Sequence, residues 1–319
     1  LMESNLVNLL RIFDVEQVAP NRYQGFHDAG DRDLIDASQV LAQAVVAATK
    51  SGDGKVVRRA SGVFCRPIRA AEPIDLSVDV VHAGRSFATM AVAATQGERT
   101  CGVVTLMLDM PSADVIRHPT VPPDRSPDDA IPYDMPLPGR EIRLVGLVDP
   151  NDPDEVGPPR IEAWLRYDPV PGRDDLRRAL LAHFTGHLSI STTMRAHPGI
   201  GTAMSHRSVS TAVMAIDVSF HDPVEWEGWV LYDHESTAVG AGMSYVRGQV
   251  RDESGRMIAS FAQDGLLRAF EEGSGATAIA ESARLYRRRR TTRHTLSATS
   301  AATAIGGSHH TSVPLRPSA

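Results

Sequence analysis

An internal repeat with a period of 156 residues is the feature that most constrains how this chain can fold. The segment FCRPI in the first half matches FHDPV in the second, since each has Phe, two variable residues, Pro and an aliphatic residue. The same offset relates Pro67 to Pro223 and Gly84 to Gly240. A register held without gaps over about forty residues favours duplication of one domain over coincidence among glycines and prolines.

Each half is predicted to contain a helix followed by antiparallel strands. In the first half, DASQVLAQAVVAATK has apolar residues near helical spacing, while PIDLSVDVVHAG alternates apolar and polar residues like a half-buried strand. The segment QGER is predicted to join two further strands. In the second half, GRDDLRRALLAHFTGHLSISTTMRAH is predicted to form one long, largely buried helix, and four strand-like segments follow it. This order indicates an α+β fold.

The predicted domain boundaries follow from changes in composition. A chain of 319 residues is long enough for two domains. We expect an N-terminal domain over residues 1–113, a linker rich in Pro and Asp over 114–138, and a C-terminal domain over 139–270. Residues 271–319 are rich in Ser, Thr, Ala and Gly, so we expect a disordered tail. Its YRRRRTTRH block could contact an acidic partner, although a solvated tail is favoured.

Composition excludes several classes of function. A formal net charge of −6 gives no electrostatic footprint for nucleic acid. No apolar run reaches membrane-spanning length, so we expect no membrane span. Cys65 and Cys101 both lie among apolar residues and are interpreted as reduced core thiols, which favours a cytoplasmic location.

Motifs for metals, cofactors and nucleophilic hydrolysis are missing from the sequence. There is no Cys/His cluster with metal spacing, no glycine-rich phosphate loop and no G-x-S-x-G around a serine. His183 and His187 are four residues apart, as in half of a zinc site, but no glutamate lies between them and no third ligand is evident. We therefore predict neither a metal nor a cofactor.

Polar residues interrupt three apolar strands of the second half: Asp217, Ser236 with Thr237, and Gln263. Buried polar side chains are costly unless paired, so on neighbouring strands these should bond to one another or to water. A carboxylate that takes a proton, beside a hydroxyl and an amide that orient water, would form a hydrolytic site. The alternative, which composition alone favours, is three separate turn or edge residues.

Several segments resemble the acyl-CoA thioesterase II family. AGRSFATMAVAATQGER, RRALLAHFTGH and AIDVSFHDPV are similar to family motifs, as are WVLYDHEST and SFAQDGLLR, and the resemblance covers most of residues 5–270. It implies a double hotdog fold, in which two tandem repeats each wrap an antiparallel sheet around a long helix. It also implies hydrolysis of medium- to long-chain acyl-CoA to fatty acid and CoA by direct attack of water.

The resemblance also assigns catalytic residues. The family's Asp, Ser/Thr and Gln fall on Asp217, on Ser236 or Thr237, and on Gln263. Asp217 would be the base, and the hydroxyl and Gln263 would orient the water. Adjacent strand residues face opposite ways, so only one of Ser236 and Thr237 should point at that water; Thr237 is preferred.

The start of the first helix could supply N–H donors for the thioester oxygen, and Ser38 and Gln39 are the candidates for that role. Here the sequence departs from the family, because Ala37 and Ser38 replace two glycines. Gly186 and Val218 also stand where the family has Asp and His. These departures leave the substrate range and rate open.

Two other functions stay open. Asp217 and His221 could serve an enoyl-CoA hydratase or a dehydratase of the hotdog type, although Gln263 would then have no task. A hotdog protein that binds acyl-CoA without turnover is the non-enzymatic alternative. Because hotdog sheets often pair further, a homo-oligomer is also compatible with the resemblance.

Overall fold

The computed structural model of the 319-residue chain describes residues 5–27, 33–135 and 137–269. The predicted disordered tail, residues 271–319, lies outside the described residues.

The first half is a short helix, a small hairpin, a buried helix and four long strands. The amphipathic α1 packs its apolar face inward, as its Leu and Ile spacing predicts. The hairpin β1–β2 was not anticipated from the sequence. The elements are α1 (Leu6–Phe13), β1 (Glu16–Ala19), β2 (Arg22–Gly25), α2 (Ala37–Lys50), β3 (Val56–Phe64), β4 (Ile74–Ala83), β5 (Phe87–Gln96) and β6 (Arg99–Asp109).

The second half repeats this order and adds short elements. A 3-10 turn at Pro127–Asp129 precedes it, and another at Thr202–Met204 lies before β10. The elements are β7 (Ile131–Pro132), β8 (Arg140–Leu144), β9 (Arg160–Tyr167), α3 (Asp174–Thr185), α4 (Ser189–Met194), β10 (Val209–Phe220), β11 (Val230–Gly240), β12 (Met243–Asp252) and β13 (Met257–Ala269).

All thirteen strands form one antiparallel sheet whose order reveals the duplication. The order β2-β4-β5-β6-β3 in the first half is mirrored by β10-β13-β12-β11-β9 in the second, and the halves meet where β3 pairs with β10. The strand β12 begins and ends 156 residues after β5. The predicted α+β plan of two tandem repeats is therefore confirmed.

The concave face of the sheet holds the central helices. On β10, Ile216, Val218 and Phe220 are buried on this face, while Asp217 and Ser219 alternate onto the other and are partly exposed. The helix α2 is buried along most of its length because it packs against α3 as well as the sheet. Each half thus closes its core over the helix of its own repeat and against the helix of the other.

The long helix predicted for the second half is broken, which corrects that prediction. α3 ends at Thr185, and α4 begins at Ser189 after Leu188, which has the left-handed φ of 62°. The left-handed region costs free energy for a residue with a side chain. Surrounding contacts must therefore hold this junction, which exposes helix-end carbonyls to the neighbouring strands.

The segment predicted as a linker makes ordered contacts. β7, at Ile131–Pro132, pairs with β8, and Arg117 forms a bidentate ion pair with the buried carboxylate of Asp222. Because the Asp222 carboxylate is buried and paired with Arg117, this ion pair holds the connecting chain at the end of β10.

One cysteine differs from its interpretation as a core thiol. Cys101 is buried, but Cys65 is exposed because it follows the last residue of β3, where the chain leaves the sheet. Both are free thiols. In the ranges 5–27, 33–135 and 137–269, no helix is both long and apolar enough to cross a membrane.

Candidate active site

Gln263 is a buried polar residue on the helix side of the sheet. It lies on β13 opposite Ile216 of β10 and Val246 of β12, and all three are buried. Its Nε2 donates a hydrogen bond to the carbonyl oxygen of Thr185, the last residue of α3. Its Oε1 is buried and meets no hydrogen-bond donor within the described part of the chain. A buried amide oxygen left in this state is suited to bind water or a substrate group.

Ser236, rather than Thr237, faces the same side as Gln263. Ser236 pairs with Val246, which in turn pairs with Gln263, so the three form one row across β11, β12 and β13. Ser236 is buried, while Thr237 falls at the irregular pairing between Ser236 and Ala238 and is exposed. The irregularity inserts one unpaired residue and turns Thr237 outward, so the preference for Thr237 is not supported by its placement.

The hydroxyl of Ser236 is held by α4. Ser236 Oγ lies 3.0 Å from Thr193 Oγ1, and the Thr193 hydroxyl donates to the carbonyl oxygen of Ser189 at 3.2 Å. A hydroxyl has a single hydrogen, so Ser236 must be the donor to Thr193. Its lone pairs therefore stay available to accept a hydrogen bond.

Asp217 lies on the opposite face of the sheet from Gln263. It pairs with Ala262, the neighbour of Gln263, and with Ser61 of β3. Because successive strand residues point to opposite faces, the Asp217 carboxylate cannot share one water with the Gln263 amide. It instead forms a 3.5 Å ion pair with Arg59, and 43% of its side chain is exposed. The structure thus places Ser236 and Gln263 on one face of the sheet and Asp217 on the other.

His221 also belongs to the outer face. Its Nε2 is 2.9 Å from the hydroxyl of Ser260, which pairs with Ser219 on that face. Burial against the sheet lowers the pKa of His221, and the nearby Arg58 lowers it further. The Asp217–His221 pair considered for a hydratase is therefore engaged with Arg59 and Ser260, away from the central helices.

Ser38, at the start of α2, belongs to a polar cluster on the helix side of the sheet. This cluster comprises Ser38, Thr185, Thr193, His234, Ser236 and Gln263. Ser38 is buried, and its Oγ meets no partner among the described residues. It packs against Gly186, where an added Cβ would collide with the Ser38 side chain. Gly186 follows Thr185, the residue that accepts from Gln263, so Ser38 lies at the end of the cluster nearest to that glutamine.

Gln39 points elsewhere. Its backbone N–H donates to the Asp36 carbonyl oxygen at 3.0 Å, and its Nε2 is 3.0 Å from Nδ1 of His27. Burial lowers the pKa of His27 to about 4, so that ring is neutral near pH 7 and accepts from the amide. Both donors of Gln39 named here are occupied, which leaves Ser38 as the better contact for a thioester oxygen.

Three residues of the cluster escaped the sequence interpretation: Thr185, Thr193 and His234. His234 is fully buried, two residues before Ser236 on the same face of β11, and its ring lies 5.0 Å from that of Phe261. Gly248 lies between them, and its lack of a side chain leaves room for the Phe261 ring. The sequence contains one signal for His234: Tyr232, His234 and Ser236 occupy alternate positions of one strand, which places their side chains on the same face.

Burial governs the ionisation of His234. It lowers the pKa to about 4, and the backbone of Ile161 and of His187 offsets the shift only in part. The ring is therefore neutral near pH 7 and a weak proton acceptor.

Metal binding by His183 and His187 was not expected from the sequence. Their rings lie 4.7 Å apart, and the His187 ring stacks on Phe184 at 5.2 Å. Within the residues described, no group of three or more His, Cys, Asp or Glu is arranged to hold a metal ion.

Family models match most of the described chain. Residues 37–108 match a model described as the acyl-CoA thioesterase N-terminal domain, and residues 118–267 match one described as the acyl-CoA thioesterase C-terminal domain. The two matches correspond to the two halves of the sheet.

Known proteins are similar along nearly their whole length. The chain is 24% identical to acyl-CoA thioesterase 2 of Haemophilus influenzae over 291 residues, which covers 85% of this chain and 100% of the relative. It is 22% identical to human acyl-coenzyme A thioesterase 8 over 289 residues, which covers 81% and 88% of the two chains.

Solved structures share the fold. The tesB protein of Mycobacterium avium subspecies paratuberculosis has a TM-score of 0.71 at 22% identity, and covers 82% of this chain and 99% of its own. Acyl-CoA thioesterase II TesB2 of Mycobacterium marinum has a TM-score of 0.69 at 23% identity, and covers 83% and 99%. A protein from Alicyclobacillus acidocaldarius described as having a hot dog fold has a TM-score of 0.67 at 17% identity, and covers 82% and 98%. The expected double hotdog fold is thereby confirmed.

Proposed function

The chain belongs to the acyl-CoA thioesterase family and is an acyl-CoA thioester hydrolase, and we propose that Gln263 and Ser236 hold its hydrolytic water. The observation that carries this proposal is the state of Gln263. Its Nε2 donates a hydrogen bond to the Thr185 carbonyl oxygen, while its buried Oε1 accepts none from the described part of the chain. An amide anchored at one atom and unpartnered at the other can fix the orientation of a bound water.

The spacing of the two side chains suits a water and a thioester carbon between them. Ser236 and Gln263 are separated by one intervening strand, which places their backbones roughly 10 Å apart. A water that donates one hydrogen to Gln263 Oε1 presents a lone pair to the thioester carbon. Ser236 Oγ, whose hydrogen is given to Thr193, offers a second acceptor on the far side.

Direct attack by water, with no acyl-enzyme, is the mechanism this arrangement supports. The Ser236 hydroxyl is not paired with a histidine base of the kind that activates a nucleophilic serine, but with the Thr193 hydroxyl. The thioester oxygen would lie toward Ser38, whose buried Oγ can donate a hydrogen bond as negative charge develops.

Medium- to long-chain acyl groups are the proposed substrates. The cross-strand partners of Gln263, Ile216 and Val246, are buried and apolar, and the buried Phe261 lies two residues before Gln263 on the same face of β13. An apolar surrounding favours an aliphatic acyl chain, because its burial contributes about 0.8 kcal/mol for each CH₂.

Steady-state hydrolysis of butyryl-, octanoyl-, lauroyl- and palmitoyl-CoA tests this proposal. Loss of the thioester absorbance is the preferred readout, because the exposed Cys65 thiol would react with a thiol reagent. We expect kcat/KM to rise from butyryl- to lauroyl-CoA. A preference for butyryl-CoA would contradict the chain-length proposal, and binding without turnover of any substrate would indicate a non-catalytic acyl-CoA-binding protein.

A homo-oligomer is proposed from the outer face of the first half. Val63, Val103 and Met107 are apolar and 43–60% exposed there, and Val63 pairs directly with Val103. Burial of such a row against a second copy would remove apolar surface from water. Light scattering of the purified protein should give a multiple of the monomer mass, and a monomer at micromolar concentration would contradict this.

We also propose a cytoplasmic location, which the free thiols of Cys65 and Cys101 support because reducing compartments preserve thiols. Fractionation of cells that express the full chain should recover it with cytoplasmic markers, and recovery with another compartment would contradict the proposal.

A further inference from the structure

A strong proton acceptor is the group that the hydrolytic cluster lacks. Ser38, Thr193, Ser236 and Gln263 are all neutral, and Asp217 lies on the other face of the sheet. Among the described residues, the buried carboxylates are engaged elsewhere: Asp175 with Arg173, Asp222 with Arg117, and Asp152 with the backbone of Asp154. Water attack on a thioester needs a base, so a titratable side chain near the cluster should supply it.

Three histidines lie along the broken helix and the adjacent strand. His183 projects from α3 toward α1, where its ring is 5.2 Å from that of Phe13. His234 is fully buried, and its pKa of about 4 makes it a weak base near pH 7. His187 is only partly buried, so water can reach it. Position and exposure therefore single out His187.

The junction between α3 and α4 places His187 within the cluster. It follows Gly186, which touches Ser38, and it is two residues beyond Thr185, whose carbonyl holds Gln263. On the other side, the backbone of His187 approaches the His234 ring. That ring is two residues from Ser236 on the same strand face, so the backbone of His187 is next to residues that flank both ends of the proposed water site.

A hydrogen bond fixes the tautomer of His187. Its Nδ1 is 3.1 Å from the carbonyl oxygen of His183. A carbonyl can only accept, so Nδ1 must carry the hydrogen, and in the neutral ring the lone pair is on Nε2. The ring is also held parallel to Phe184, with 6° between the two planes. This fixed orientation is what a general base requires.

We propose that His187 is the general base of this hydrolase and accepts the proton of the attacking water at Nε2. The inference rests on the proposed function of the Gln263 site. Water oxygen bonds to the thioester carbon and keeps the hydrogen that it donates to Gln263 Oε1. Its second hydrogen, for which Ser236 Oγ is the acceptor before attack, passes to Nε2, which forms an imidazolium and a tetrahedral oxyanion. The C–S bond then breaks, the CoA sulfur takes the proton from the imidazolium, and fatty acid and CoA leave.

Kinetics of His187→Ala test the proposal, with His197→Gln as the matched control because His197 is an exposed histidine just beyond α4. For His187→Ala we expect kcat on lauroyl-CoA to fall by about 10²- to 10⁴-fold, the usual contribution of general-base catalysis, with a smaller change in KM. The control should keep wild-type kcat. Wild-type kcat in His187→Ala would overturn the proposal.

Two readouts separate chemistry from a loss of packing. Added imidazole should restore part of the kcat of His187→Ala, and the acid limb of the wild-type pH–rate profile should be missing from the variant. Among the described residues, the ring of His183 lies 4.7 Å from that of His187, His234 is approached by the His187 backbone, and the guanidinium carbon of Arg140 lies 5.8 Å from the centre of the Phe184 ring on which His187 stacks. His234→Phe should therefore keep the acid limb.

The outcomes separate a failure of the His187 proposal from a failure of the proposed function. A wild-type protein that hydrolyses no acyl-CoA would remove the proposed function and the inference together. An active wild type whose His187→Ala variant folds, retains the acid limb and gains nothing from imidazole would remove the inference alone.

Discussion

Asp217 and Ser61 lie directly opposite each other where β10 of the second repeat pairs with β3 of the first. They are also equivalent positions of the duplication, since Asp217 follows Ser61 by the same 156 residues that separate β5 from β12. A position that pairs with its own equivalent marks the approximate two-fold axis between the repeats. The only carboxylate of this pair thus lies at the junction of the two halves, on the face away from the helices.

This relationship predicts the effect of Ser61→Asp. The substitution would place a second carboxylate opposite Asp217, and like charges in a direct cross-strand pair destabilise a sheet. We expect the free energy of unfolding to fall by about 0.5–1 kcal/mol in low salt and by less in high salt. Chemical denaturation would measure the change, with Ser61→Asn as control. Equal stability of the Asp and Asn variants would contradict the predicted pairing.

Gly186 and Ser38 should be coupled in stability. Gly186 has an ordinary helical φ of −69°, so the strain of Gly186→Ala comes from its Cβ meeting Ser38 rather than from the backbone. Overpacking of this kind typically costs about 1–3 kcal/mol. The double variant with Ser38→Gly should recover most of that loss. Simple additivity in this double-mutant cycle would show that the two positions do not touch.

His234 should make the protein sensitive to acid. Its pKa falls from 6.5 to about 4 on folding, so between these pH values the unfolded chain binds a proton that the folded chain does not. The stability that depends on neutral His234 is full above pH 6.5 and declines as pH falls toward 4. Replacement by Phe should reduce this slope by up to about 1.4 kcal/mol per pH unit. Unfolding of His234→Phe and His197→Phe over that range tests this, and equal slopes would contradict it.

The repeat and the strand alternation predicted most of the fold. The 156-residue offset fixed which strands correspond, and the alternation in PIDLSVDVVHAG matched β4. The break after Thr185 was not predictable, because every residue from Phe184 to Leu188 is compatible with a helix except Gly186. The left-handed Leu188 is held by tertiary contacts that a linear pattern does not contain.

The site was predictable only in part for a related reason. Which of Ser236 and Thr237 faces inward depends on the irregular pairing at Thr237. The face of Asp217 depends on its register with Gln263, and a shift of one residue reverses it. Ser38 and Gln39 are adjacent in sequence, yet the Gln39 amide is engaged by His27, which only the packed structure reveals.

Comparison of Asp217→Asn with Gln263→Ala in one acyl-CoA hydrolysis assay tests the central claim most directly. If the hydrolytic water is held on the helix side of the sheet, Asp217→Asn loses only an exposed ion pair with Arg59 and should keep kcat within about threefold. Gln263→Ala should lose about a hundredfold in kcat, because the water is no longer oriented. The reverse pattern, with Asp217→Asn inactive and Gln263→Ala near wild type, would contradict this placement of the active site.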